Sequence, residues 1–144
     1  MQFTGMAGAK TEVEMKMNAK VKKEINNEYP ATYQVIDLQY MRDISQGNKE
    51  YERTVTEQFL EVVPLDLEVL ESAFTKRNLT SLRQTAHNMK TNVSVMGLSK
   101  KLQSYLDELE NAPFDEAHFR QIILSIKTIC LSALPEARQF YSTL

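Results

Sequence analysis

The stretch that decides the fold runs from Leu79 to Gly97, LTSLRQTAHNMKTNVSVMG. Its apolar residues recur at alternating spacings of three and four, which is typical of a helix side buried against other helices. They are Leu79, Leu82, Ala86, Met89, Val93 and Met96. Gly97 follows at once and predicts the end of the helix, because glycine readily adopts the left-handed conformation after a last turn.

Two helices are predicted before this one. A short helix is expected from Ala31 to Ser45, and the turn sequence SQGN follows it at 45–48. A long apolar-periodic stretch then extends from Lys49 to about Arg77. Pro64 lies inside it, and we expect a kink there because proline removes one backbone donor and clashes with the preceding turn.

Two further helices are predicted after Gly97. Ser99 is expected to cap the first and Asp115 the second, and Pro135 is expected to kink or end the last helix. Short connections make consecutive long helices antiparallel neighbours. The predicted fold is therefore all-α: a domain over residues 31–144 that consists of an up-and-down antiparallel four-helix bundle preceded by one short extra helix.

Residues 1–30 differ in composition from the rest of the 144-residue chain. Between residues 10 and 28 the chain is highly charged, and apolar residues recur only at every fourth position. Such a narrow apolar stripe does not supply a core helix. We interpret this segment as a charged amino-terminal extension or linker, either helical or disordered.

Several classes of protein are disfavoured by composition. No run of about 18 uncharged apolar residues exists, so we expect no membrane insertion. The first ten residues lack the layout of a secretory signal, and Cys130 is the only cysteine, which excludes an internal disulfide. These features predict a soluble cytoplasmic protein.

Charge is unevenly distributed along the chain. Residues 72–106 contain no Asp or Glu but six basic residues, whereas the whole chain carries a net charge of −2. A local excess of positive charge indicates an anionic ligand or an acidic partner, and the alternative is an ordinary solvated helix face. Nucleic acid is disfavoured as the partner because aromatic residues are not interleaved with the basic ones.

The polar side of the helix over Leu79–Gly97 carries the candidate chemistry. Residues at helical spacing lie there: Thr80, Arg83, His87, Lys90, Thr91 and Ser94. Imidazole is a competent nitrogen nucleophile that is largely neutral near pH 7, and a lysine three residues away would stabilise an added negative group. A lone helical histidine is more often an ordinary surface residue, and His118, beside Asp115 and Glu116, is interpreted as such.

The run AHNMKTNVSVMGL at 86–98 resembles the signature of histidine phosphotransfer (HPt) domains. In that family an alanine precedes the phosphoaccepting histidine, a lysine follows three positions after it, and a glycine follows ten positions after it. Ala86, His87, Lys90 and Gly97 match in type and spacing. The similarity in helix layout extends from about Ala31 to Tyr141. Thr91 departs from the pattern, since Gly or Ser is commoner there, and this substitution is expected to narrow the choice of partner.

The resemblance implies a carrier in a two-component phosphorelay. His87 would be phosphorylated on the ring nitrogen farther from the backbone, and Lys90 would neutralise the phosphoryl group. Contacts with a response-regulator receiver domain would come from Arg83, Thr91, Ser94, Gly97, Lys100 and Lys101. The receiver would supply the aspartate and Mg²⁺, and a hybrid sensor histidine kinase would be a second partner. With no phosphate-binding loop in the sequence, neither bound cofactor nor ATP-dependent kinase activity is expected.

Two alternatives stay open at this point. The same bundle could bind a receiver or kinase without carrying phosphate, and Thr91 is the feature that favours this hypothesis. A metal-binding bundle fits poorly, because neither histidine has an inward carboxylate partner at the spacing such sites use. The sequence does not determine which receiver is the partner, the direction of phosphate flow, or whether the chain belongs to a hybrid kinase.

Overall fold

A computed structural model describes residues 33–144 of the chain. The predicted extension at 1–30 lies outside the described residues. Five helices, and no strand, make up the regular structure of the described part. They are α1 (Gln39–Ser45), α2 (Lys49–Thr75), α3 (Leu79–Ser94), α4 (Ser99–Asn111) and α5 (Glu116–Ser142). The all-α prediction is confirmed.

The helices bury one another in a ring of neighbours. α2 contacts α3 and α5, α4 contacts the same two helices, and α1 contacts α2. Five of the six apolar residues predicted to line the buried side of α3 are buried, and Leu79 is half-buried. α2 continues through Pro64, and α5 continues through Pro135 to Ser142, so the last helix does not end at its proline.

The predicted helix at 31–45 is wrong in its first part, since α1 begins only at Gln39. The backbone N–H groups of residues 34–36 donate to the carboxylate of Glu136 at 3.0–3.1 Å. A helix would have left its first N–H groups without partners, whereas this distant carboxylate satisfies them in a non-helical segment. The tertiary contact overrides the local apolar pattern here.

Two predicted helix caps have opposite outcomes. The side chain of Asp115 accepts a hydrogen bond from the His118 amide at 2.9 Å, so this capping prediction is confirmed. The prediction for Ser99 is wrong, because α4 begins at Ser99 and the cap position belongs to Leu98. Leu98 is fully buried, so packing rather than a side-chain hydrogen bond fixes the start of α4.

Gly97 stands where the chain turns from α3 into α4. Its φ of +71° is the left-handed conformation that the sequence predicts for this glycine. A Cβ atom at Gly97 would lie 2.1 Å from the carbonyl oxygen of Asp37, far inside van der Waals contact. The Asp37 amide donates to the carbonyl of Met96 at 2.9 Å, so the turn packs directly on the segment that leads into α1. Only glycine fits this close approach.

Candidate functional site

α3 presents His87 to solvent. The helix starts at the Asn78 cap, whose side chain accepts from the Ser81 amide at 3.1 Å. Ala86 is fully buried, whereas the side chain of His87 is 61% exposed. Successive residues of a helix are rotated by about 100°, so a buried Ala86 brings the next side chain to the surface. The predicted exposure of the imidazole is observed.

The imidazole of His87 is hydrogen-bonded through only one of its nitrogens. Nδ1 lies 2.8 Å from Oε2 of Glu110, at the end of α4. An ionised carboxylate can only accept, so Nδ1 carries the ring hydrogen in the neutral imidazole and Nε2 keeps a lone pair. Nε2 makes no hydrogen bond to any residue within 33–144. The ring nitrogen farther from the backbone is therefore open and nucleophilic.

Glu110 also joins His87 to Lys90. Its other oxygen, Oε1, accepts from the Lys90 ammonium at 2.7 Å, and Lys90 makes a second ion pair with Asp107. The hydrogen bond from Lys90, with a smaller contribution from His87, lowers the pKa of Glu110 below its ordinary value. The hydrogen bonds to Asp107 and Glu110 raise the pKa of Lys90 in turn. The carboxylate that binds His87 is thus held in its charged form.

The guanidinium of Arg83 is bound to the end of α4. One of its guanidinium nitrogens donates to the carbonyl oxygens of Leu109, Glu110 and Ala112 at 3.2, 3.0 and 2.8 Å. The last carbonyls of a helix lack partners within it, and a basic side chain can satisfy them. Because Glu110 is among the residues bound, Arg83 also fixes the position of the carboxylate beside His87.

A polar hollow opens beside the imidazole. It has a volume of about 530 Å³ and is lined by Thr80, Arg83, Gln84, His87, Glu110 and Asn111. Among the residues predicted to contact a receiver, it contains only Arg83.

A second hollow collects three of the other predicted docking residues. Ser94, Gly97 and Lys100 line it together with Asp37, Gln39, Tyr40, Asp43 and Ser99, and its volume is about 550 Å³. On α1, Tyr40 is 47% exposed, and Ile44, one helical turn later, is 41% exposed. Because Ser94 is two turns beyond His87 on α3, the hollow lies on the carboxyl-terminal side of the histidine.

Two predicted docking residues lie apart from both hollows. Thr91 is exposed on α3, and its carbonyl accepts from the Ser94 hydroxyl at 2.7 Å. Lys101 donates to the carbonyl of Val35 at 3.2 Å, so its ammonium ties the segment before α1 to α4.

Most basic side chains of the stretch at 72–106 are bound within the fold. Arg77 pairs with Glu116, and Arg83, Lys90 and Lys101 have the partners described above. Among the described residues, only the side chains of Lys76 and Lys100 of the six make no ion pair or hydrogen bond. Within residues 33–144, ion pairs therefore engage only Arg77 and Lys90 of the six, while Arg83 and Lys101 are bound by backbone carbonyl oxygens and keep their charge.

Asp107 and Glu110 are the residues of the candidate site that sequence analysis missed. Acids resume in the segment DELE at 107–110, directly after the acid-free stretch. Helices α3 and α4 are joined by a short turn, so they run back along each other and bring this segment level with His87 and Lys90. That juxtaposition is readable only once the pairing of the helices is known.

His118 is the other histidine of the chain. It lies in the first turn of α5, is 54% exposed, and has its Nε2 atom 2.5 Å from Oε1 of Glu108.

The described residues contain no group of three His, Cys, Asp or Glu side chains that could share a metal ion. No helix within 33–144 has both the length and the apolar character needed to cross a membrane. No family model, curated protein or solved structure matches the chain.

Proposed function

We propose that this chain is a histidine phosphotransfer protein that carries a phosphoryl group on Nε2 of His87. The observation that supports this most directly is the exposed imidazole, whose Nδ1 is bound by a carboxylate while Nε2 stays open. The phosphoryl group would be exchanged with the aspartate of a response-regulator receiver domain. A hybrid sensor kinase would supply it upstream, and the protein would act in the cytoplasm.

The reaction needs little from this chain besides an oriented nucleophile. The Nε2 lone pair attacks phosphorus, the bond between phosphorus and the aspartyl oxygen breaks, and the receiver regains its carboxylate. The imidazole gains positive charge as the new bond forms, and the Glu110 carboxylate at Nδ1 stabilises that charge. Phosphoryl transfer depends mainly on positioning and charge stabilisation, so no further acid or base is required here. The Mg²⁺ that screens the phosphoryl oxygens would be held by the receiver.

The bundle arrangement belongs to the same proposal. The ring of contacts among α2, α3, α4 and α5, with short connections between them, supports the proposal of an up-and-down four-helix bundle. HPt domains place the histidine on such a scaffold. A rigid helix keeps the nucleophile fixed while a partner approaches from solvent.

Lys90 acts differently in this proposal from the expectation drawn from the sequence. It binds Glu110 and Asp107, so it positions the carboxylate beside the ring. We propose that its ammonium exchanges Asp107 for a phosphoryl oxygen when His87 is modified, since it is three residues away on the same helix face. Arg83 would act through Glu110, as a positioning residue.

The receiver would contact the surface between His87 and the hollow lined by Ser94, Gly97 and Lys100. Exposed Tyr40 and Ile44 add apolar area to this side, and Lys100 adds the one cation there without an intramolecular partner among residues 33–144. Aromatic and aliphatic residues surrounded by polar ones are typical of a docking patch.

One observation favours the alternative, a docking module that carries no phosphate. Glu110 contacts the ring that would gain a negatively charged group, and Glu110 and Asp107 together occupy the Lys90 ammonium. Repulsion would disfavour a phosphohistidine if these groups could not rearrange. The two functions differ in whether phosphate is transferred, and this can be measured.

The deciding experiment charges a panel of receiver domains with a small phosphodonor in Mg²⁺ and then adds the chain. The variant His87→Gln removes the proposed nucleophile, and His118→Gln is the matched control, because His118 is equally a surface histidine bonded to an α4 carboxylate. We expect an acid-labile, alkali-stable adduct on the wild type and on His118→Gln, and none on His87→Gln. Mass spectrometry would locate it.

Two outcomes would count against the proposal. Label on His87→Gln but not on His118→Gln would identify His118 as the phosphoacceptor. Binding of a receiver with equal affinity by all three proteins, with no label on any, would establish the docking module instead.

A further inference from the structure

The outer face formed by α2 and α5 combines exposed leucines with unpaired charges. Leu65 on α2 is 55% exposed, and Leu124 and Leu131 on α5 are 56% and 49% exposed. Single exposed apolar residues are ordinary on protein surfaces, but a group on one face of two neighbouring helices indicates a contact surface. This face lies across the ring of helices from the α3–α4 edge that carries His87.

The exposed charges that share a helical stripe with these leucines have opposite signs on the two helices. On α2, Glu61 and Glu68 are exposed at the same helical stripe as Leu65 and form no ion pair within 33–144. On α5 there is no Asp or Glu between residues 117 and 135, and Arg138 is exposed at the seven-residue spacing that also relates Leu124 and Leu131. Arg138 likewise makes no ion pair with the described residues.

The two helices run in opposite directions, and their contacts set the level of each residue. Tyr141 donates to Glu57 at 3.0 Å, and Lys127 to Glu71 at 2.9 Å. Counting along the helices from these two contacts places Arg138 at nearly the same height as Glu61. Leu131 lies at a height between those of Leu65 and Val69. Opposite charges and leucines thus occur at matching heights on neighbouring helices.

We infer that this face binds a second copy of the chain. A two-fold axis parallel to the helices would place α2 of one copy over α5 of its partner. Leu65 would then pack against the partner's Leu131, and Glu61 would face the partner's Arg138. Each contact occurs twice because the axis relates the two copies.

The charge pattern and the area of this face both favour a second copy of the chain in this arrangement. A two-fold axis across the helices would instead stack α2 on α2 and bring acids against acids, which is repulsive. Helices of 27 residues are about 40 Å long, so two of them side by side can supply the roughly 800 Å² per partner that stable interfaces bury. Both copies of His87 remain accessible, since neither lies on this face.

The test is sedimentation of the full chain over a dilution series at low salt. We expect a monomer–dimer equilibrium whose dissociation constant rises by at least about tenfold in Leu131→Glu, because a charge then replaces a central apolar contact. Ile44→Glu is the matched control, since Ile44 is an exposed aliphatic residue on α1, and it should leave the constant within about twofold. Circular dichroism would verify that both variants stay folded.

A charge exchange tests the arrangement of the two copies. Glu61→Arg and Arg138→Glu should each weaken the dimer about threefold or more, and the double variant should recover most of the loss. A chain that sediments as a monomer at every concentration overturns the inference and leaves the face to another partner. A dimer insensitive to Leu131→Glu, or a double variant without recovery, overturns it as well.

Discussion

The two histidines of this chain offer an internal comparison. Both are more than half exposed, and both are hydrogen-bonded to a carboxylate near the end of α4. His87 uses Nδ1 for this contact and keeps Nε2 open, whereas His118 uses Nε2 and keeps only the nitrogen next to its own backbone. Exposure and a carboxylate partner are therefore not enough to distinguish a phosphoacceptor. The choice of ring nitrogen is what sets His87 apart.

The carboxylates differ as well. Glu110 is shared with Lys90, which lowers its pKa, and Arg83 holds the backbone that carries it. Glu108 accepts from His118 and, among the described residues, from no lysine or arginine. The carboxylate at His87 is thus held by Lys90 and Arg83. The site at His118 is a single surface pair, and such pairs contribute little to stability.

Removing each carboxylate should separate the two sites most strongly. We expect Glu110→Gln to lower the rate of phosphoryl transfer by about 10- to 100-fold, because the neutral amide no longer gives the positively charged ring a charged hydrogen-bond partner. Glu108→Gln should leave the rate within about twofold. The readout is single-turnover transfer from a charged receiver, with wild type alongside.

Nitrogen-15 NMR of the imidazoles adds a readout independent of activity. His87 should show the tautomer protonated at Nδ1 and His118 the tautomer protonated at Nε2, and Glu110→Gln should change only the first. A His87 ring protonated mainly at Nε2 in the wild type would contradict the comparison, whatever the transfer rates.

The sequence predicted the scaffold of this site better than the site itself. The apolar repeat of α3, the cap at Asp115 and the left-handed Gly97 are local signals, and the structure has all three. Glu110 is 23 residues from His87 and becomes its partner only through the pairing of α3 with α4. The same limit explains the error before α1, where Glu136 binds a backbone segment about 100 residues away. No local pattern carries such contacts.

A smaller effect is expected from Lys90, and its pH dependence has a defined sign. The pKa of Glu110 is lowered, so its ion pair contributes stability above the ordinary value of 4.5 and loses it as the pH falls through the folded-state pKa. The pKa of Lys90 is raised above 10.5, so its contribution is present below that value and is lost at higher pH. The difference in free energy of unfolding between wild type and Lys90→Met should be widest between these limits.

Urea unfolding over a pH series would measure that difference. Transfer by Lys90→Met should fall by several-fold, less than in Glu110→Gln, since the carboxylate remains beside the ring. If the difference in free energy of unfolding stayed constant as the pH falls through the folded-state pKa of Glu110, Lys90 would stabilise the fold by packing alone. Lys127→Met, which removes the surface pair with Glu71, is the matched control.

The smallest expected effect concerns the charges around the two histidines. Asp115 and Glu116 lie beside His118, whereas Lys100 lies on the α4 side of the hollow beyond His87 and makes no ion pair within residues 33–144. A receiver presents an acidic pocket, so Lys100→Glu should slow transfer a few-fold at low salt and flatten its salt dependence. Lys101→Glu should also slow transfer, but it removes the hydrogen bond to Val35 and is expected to lower the stability of the segment before α1 as well. A transfer rate unchanged by Lys100→Glu at low ionic strength would exclude this lysine from the docking surface, and the apolar side chains of α1 would then have to select the partner.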